Sequence, residues 1–143
     1  MSVPSDAVIL AWTRLVRAHQ AALAGIEAAL KGAGHPPLEW YDVLLELERA
    51  GPLRPRDLQA RLLLAQSNLS RLLDRMAGAG AVERTPCEDD RRGHLVAATA
   101  EGSALRRRMW PVYAAAIQAA VGDRVSEAEA TALAGLLGPL NGP

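Results

Sequence analysis

The chain has 143 residues, half of them apolar, which is enough for one domain with a real core and too short for two independent ones. Sixteen cations balance sixteen acids, so no net charge steers it toward a polyanion, and the absence of Phe leaves the core to aliphatic side chains. Cys87 is the only cysteine, which excludes an internal disulfide framework; no uncharged run exceeds about fourteen residues and no signal peptide is evident, so the expectation is a cytoplasmic protein without a membrane segment.

From the N-terminus, Val8, Trp12, Leu15, Val16, His19, Ala22, Leu23, Ile26 and Leu30 recur at spacings of three and four, which predicts one long amphipathic helix. Gly32, Gly34, Pro36 and Pro37 stop it. A second helix is predicted over Leu38 to Ala50, with Val43, Leu44 and Leu47 inward and Gly51 and Pro52 as its end. Pro55 suits the first turn of a third helix, where its missing N–H costs nothing, and Asp57 complements the positive end. Leu58, Leu62 and Leu63 are that helix's expected buried side. A fourth helix is predicted from Gln66 to about Ala79, its inner face Leu69, Leu72, Leu73 and Met76, its outer face and flanks Ser67, Asn68, Ser70, Arg71, Asp74 and Arg75.

After Gly78 and Gly80, Val82–Thr85 and His94–Thr99 read as strands joined by the charged loop Pro86–Gly93, a β-hairpin. Leu105, Met109, Val112, Tyr113, Ala116, Ile117, Ala120 and Val121 then repeat at helical spacing, with Pro111 expected to kink the run or rest on a rearranged turn. Ser126 and Glu129 form a capping box for a last helix whose Leu133, Leu136, Leu137 and Leu140 are expected to be buried.

Two short helices, a tight connection and a charged hairpin are the layout of a winged helix-turn-helix. The fold class is therefore mainly α with a small β-hairpin wing (α+β), in a single domain over 1–143 whose DNA-binding part spans 36–99. The middle of the chain is also its basic part, with eight Arg against six acids between residues 51 and 98. Short hydrogen-bonding groups and Arg on the outer face of the fourth helix are the side chains that read base edges and hold phosphates in a major groove. An Arg on the wing can enter the minor groove, where negative potential is concentrated. A solvated helix face and a solvated hairpin tip are the plainer readings of the same residues.

The chief rival is a winged helix that binds protein without sequence-specific DNA binding, since fold alone does not fix function. Such a module should expose Leu, Trp or Tyr where this chain shows Ser, Asn and Arg. An enzyme has little support: no Cys and His cluster has metal spacing, no glycine-rich phosphate loop follows a strand, and Glu88, Asp89 and Asp90 sit on a hairpin tip. His19, His35 and His94 are scattered, so no catalytic residue, metal or cofactor is expected.

The stretch Leu64-Ala65-Gln66-Ser67-Asn68-Leu69-Ser70-Arg71-Leu72-Leu73-Asp74-Arg75-Met76, then Gly80 with Val82-Glu83-Arg84, Asp90 with Arg92, and Thr99-Ala100-Glu101-Gly102, resembles the MarR family of bacterial transcription regulators in order and spacing. The resemblance implies a homodimer that represses genes from a pseudo-palindromic operator in double-stranded DNA. It implies that Ser67, Asn68, Ser70 and Arg71 face bases or adjoining phosphates, that Arg75 supports a backbone contact, that Arg92 enters the minor groove and that Asp90 orients a nearby Arg. Residues 5–32 and 100–141 take the family's dimerisation helices, and a C₂ pairing would bury their apolar faces. A small aromatic or lipophilic effector would sit among the aromatics outside the wing, with Trp12, His19, Trp40 and Tyr113 as its contacts. This chain departs from the pattern at Ala65, where the family often has a helix-capping Ser, and at Ala97-Ala98, where it usually has bulkier residues. Cys87, on the wing loop, reads as a bystander thiol.

Overall fold

The computed structural model describes residues 1–87 and 90–142, with backbone alone for Asp90–Arg92. In chain order it forms α1 (Asp6–Gly32), α2 (Leu38–Ala50), α3 (Pro55–Arg61), α4 (Leu69–Gly78), β1 (Val82–Cys87), β2 (Asp90–Ala98), α5 (Ala100–Ile117) and α6 (Glu127–Leu137). Contacts group residues 34–111 into one unit and residues 1–33 with 112–143 into another.

In the unit of residues 34–111, α2 has the predicted bounds and buries Val43, Leu44 and Leu47 together with Leu38 and Tyr41. Pro55 occupies the first turn of α3, whose buried residue is Leu58. Val43, Leu44, Leu47 and Leu58 join Leu69, Leu72, Leu73, Met76, Ala81, Val82 and Val96 in one core cluster, where each full burial of a Leu or Val contributes about 1.5–3 kcal/mol. Leu63 is a correction: it is 76% exposed. The helix stops at Arg61 and Leu62 is extended, at φ −65° and ψ 138°, so Leu63 no longer falls on the helical face that would have buried it. Leu62 does pack against the core.

The end of α4 is a Schellman turn. Gly80 takes φ +79°, a left-handed conformation that glycine adopts without a Cβ clash. Its N–H donates to the Ala77 carbonyl at 3.0 Å, and the Ala81 N–H donates to the Met76 carbonyl at 2.9 Å. β1 and β2 then pair antiparallel, from Val82 opposite Ala98 to Pro86 opposite His94, before a register shift sets Cys87 opposite Asp90. The strands thus run through much of the loop predicted over Pro86–Gly93. Pro86 lacks only a donor, which a strand at a sheet edge can forgo. On the other side of β2, Leu53 forms a bridge with Val96, through N–H to carbonyl bonds of 3.0 and 2.8 Å.

Thr99 ties the hairpin to α5. Its Oγ1 accepts the Gly102 N–H at 3.0 Å and donates to the Gly80 carbonyl, while its own N–H donates to the Ala81 carbonyl at 3.1 Å. Gly102 lies so close to Ala81 that a Cβ there would collide with the Ala81 carbonyl and come within 2.9 Å of Leu44 Cδ2.

In the unit of residues 1–33 and 112–143, Ser5 Oγ caps α1 by accepting the Val8 N–H at 3.2 Å. Ile26 and Leu30 are buried, whereas Val8, Ile9, Leu10, Trp12 and Leu15 are exposed. α5 continues through Pro111 and passes at Gln118–Gly122 into a π-helical turn, closed by the Asp123 N–H donating to the Gln118 carbonyl at 2.7 Å. The capping box of α6 is complete: Ser126 Oγ accepts the Glu129 N–H at 3.1 Å, and the Glu129 carboxylate accepts the Ser126 N–H at 2.9 Å. Those bonds hold the Glu129 carboxyl below its usual range. The leucines of this last segment correct the expectation of burial. Leu133, Leu136 and Leu140 are exposed, Leu136 at 72%, because nothing among the described residues covers them. Among the described residues no helix is long and apolar enough to cross a membrane.

Candidate nucleic-acid interface

The outer face of α4 is the focus of the site. Its amphipathicity is sharp, with Leu69, Leu72, Leu73 and Met76 buried and Ser70, Arg71, Asp74 and Arg75 exposed. The helix starts later than predicted, at Leu69, because Asn68 is its N-cap: at φ −143° and ψ 72°, Asn68 Oδ1 accepts the Arg71 N–H at 3.1 Å. The missing hydroxyl at Ala65 is therefore no loss, since the cap is three residues further on and satisfies one of the first-turn donors. Ser67 and Asn68 are exposed and precede the first turn.

Ion pairs fix this face to its neighbours. Arg75 Nη2 lies 3.4 Å from Glu39 Oε1 on α2. Arg84, on β1, pairs with Asp74 at 2.6 Å and directs its second nitrogen to the Ser70 carbonyl at 3.5 Å. Arg84 and Glu39 were absent from the sequence-predicted site. They lie ten and thirty-six residues from their partners on α4, spacings that no helical or strand periodicity links. The backbone at Asp90 and Arg92 belongs to β2, and their side chains lie outside the described residues. At the far end of β1, Arg54 Nη2 donates to Cys87 Sγ at 3.2 Å.

One further residue of this unit was missed. Asp42 on α2 is 6% exposed and is the one buried charged or polar residue among those described. Its two oxygens accept the N–H groups of Leu63 and Leu64, at 3.1 and 2.8 Å, in the segment that leads into α4. Burial pushes its carboxyl above the usual range, against the downward pull of those two N–H groups and with a smaller upward push from Glu46. An acid between Tyr41 and Val43 in an apolar run was the available signal.

The four residues predicted to contact an effector fall in different units. Trp12, 65% exposed, with His19 and Tyr113 belong to the unit of residues 1–33 and 112–143. Trp40 packs against the core of the other unit. A groove of about 210 Å³ in the first of these units is lined by Ala21, Gly25, Ala29, Ala116, Ala119, Ala120 and Arg124, and so includes none of the four. Among the described residues no group of three His, Cys, Asp or Glu could hold a metal ion.

Comparison with known proteins gives concordant matches. The MarR family model matches residues 34–93. The multiple antibiotic resistance protein MarR of Salmonella typhimurium is 37% identical over 65 residues, which cover 46% of this chain and 45% of that relative. The matched stretch is thus less than half of that relative's length. Among solved structures, AbsC, a MarR family transcriptional regulator from Streptomyces coelicolor, superposes with a TM-score of 0.84 at 25% identity, over 98% of this chain and 95% of that one. A mutant MarR from E. coli complexed with operator DNA superposes with a TM-score of 0.81 at 25% identity, over 94% of this chain and 96% of that one.

Proposed function

We propose that this chain, which matches the MarR family of winged helix-turn-helix transcription regulators over residues 34–93 and superposes on its members, is a regulator of that family that binds a pseudo-palindromic operator as a homodimer and represses the genes beside it. The observation that carries the proposal is the outer face of α4, where Ser70, Arg71 and Arg75 stand exposed beside a wing strand already pinned to the same helix through Arg84 and Asp74. In this reading Ser67, Asn68, Ser70 and Arg71 face base edges or adjoining phosphates, Arg75 supports a phosphate contact, and Arg92, with Asp90 beside it, reaches the minor groove. Regulators of this family are not enzymes.

The exposed apolar side chains of α1 and of the last segment, Ile9, Trp12, Leu15, Leu133, Leu136 and Leu140, support the dimer. An apolar surface of this kind is covered by a second copy most often through a two-fold axis. Release from DNA by a small aromatic or lipophilic effector completes the proposal.

The test is selection of duplex fragments from a genomic library by the purified protein, then anisotropy titration of the best fragment and its mass by sedimentation. A pseudo-palindrome with half-sites about one helical turn apart, bound by two copies, is the expected result. Recovery of no sequence above background would reject it in favour of a protein-binding winged helix.

A further inference from the structure

The segment between α3 and α4 determines where the outer face of α4 is presented, yet it has few anchors. Leu63 is exposed and contributes no burial. Gln59 Nε2 donates to the Gln66 carbonyl at 3.0 Å, at the surface. The interior anchor is Asp42, whose two oxygens each take one of two consecutive N–H groups, Leu63 at 3.1 Å and Leu64 at 2.8 Å. A buried carboxylate is costly unless every lone pair finds a donor. None of the ion pairs found among the described residues includes Asp42. The two backbone donors therefore supply part of its compensation, and charge-assisted bonds of this type are stronger than neutral ones.

We propose that Asp42 is a positioning residue for DNA recognition, a carboxylate clamp on the Leu63 and Leu64 amides that fixes the start of α4 relative to α2. The proposal rests on the DNA-binding reading above. The geometry also explains why only an acid serves. Asparagine has a single acceptor oxygen for two donors, and its amide nitrogen would face an N–H. An apolar residue leaves both donors unpaired inside the protein. Asp42 does not touch DNA; it acts through the four residues between Leu64 and the first turn of α4.

The experiment compares the full chain with Asp42→Asn on the selected operator and on an unrelated duplex, at a temperature where both proteins are folded by circular dichroism, together with amide hydrogen exchange. The expected result is a roughly tenfold loss of operator affinity, the scale of one charge-assisted hydrogen bond, with unchanged binding to the unrelated duplex. Simple loss of folded protein would lower both equally and would overturn the proposal, as would equal operator affinity in the two proteins. Exchange on the unsubstituted chain reads the clamp even where Asp42→Asn fails to fold. Leu63 and Leu64 amides protected like the interior of α4 support it, and amides exchanging like an exposed loop overturn it. If the unsubstituted chain selects no duplex, the DNA-binding reading fails and the positioning role falls with it, whereas protection at Leu63 and Leu64 still identifies the clamp as a fact of the fold.

Discussion

Asn68 carries two candidate roles that substitution can separate. Its Oδ1 accepts the Arg71 N–H at 3.1 Å, so Asn68→Ala returns one first-turn donor of α4 to water. Removing an Asn cap costs about 1 kcal/mol, within a range of about 0.5–2. For a chain of this length that loss lowers Tm by roughly 4 °C. The melts must be compared at one protomer concentration, since the Tm of a dimer depends on it. Asn68→Ser retains a capping oxygen and is expected to recover most of the lost Tm. If the Asn68 amide also reads a base, the Ser variant keeps its stability while its preference at one base pair moves by roughly 1–3 kcal/mol in anisotropy titrations. A Tm for Asn68→Ala equal to the parent's would refute the capping argument. A parental preference at every base pair in Asn68→Ser would assign the residue to capping alone.

Three further outcomes are expected. Gly102→Ala places a Cβ against the Ala81 carbonyl and 2.9 Å from Leu44 Cδ2; the first is backbone already bonded to Thr99, so a loss of about 3 kcal/mol, at the upper end for overpacking, is expected in urea unfolding, and an unchanged midpoint would contradict the close packing. Arg92→Ala should weaken operator binding and reduce the slope of log affinity against log salt by about one unit; equal binding at every salt concentration would remove Arg92 from the interface. The third concerns pH. Because burial raises the Asp42 carboxyl above 3.8 in the folded chain, the folded state holds that proton more tightly than the unfolded one. Its contribution is full below 3.8 and is lost as pH rises through the folded value. The stability of the parent relative to Asp42→Asn should therefore be greater near pH 4 than at pH 7 in denaturant titrations, and a difference independent of pH would show that the carboxyl is not shifted.

Local pattern reached the elements and their inner faces. Leu69, Leu72, Leu73 and Met76 are buried as their spacing requires, and the Ser126 and Glu129 box forms because both partners lie within one turn. What it missed depends on backbone geometry or on distant partners. The start of α4 depends on which of Ser67 and Asn68 turns its side chain back onto the helix, and both are competent caps. Leu63 faces solvent because α3 ends at Arg61, two residues short of it. Arg75 with Glu39, Arg84 with Asp74 and Asp42 with Leu63 and Leu64 join residues brought together by tertiary packing alone. Periodicity also marks Leu133, Leu136 and Leu140 as apolar without saying whether the cover comes from the same chain.

The hairpin has a bearing on solution behaviour as well. Among the described residues β1 has β2 on one side and no strand on the other, so its free edge offers a template to any neighbouring chain. That edge carries Glu83, Arg84 and Pro86, all exposed. Charged side chains and a residue without an N–H are poor partners for edge-to-edge pairing. Molecules crowded on adjacent DNA sites would thus be discouraged from joining wing to wing into the ribbons from which aggregates grow.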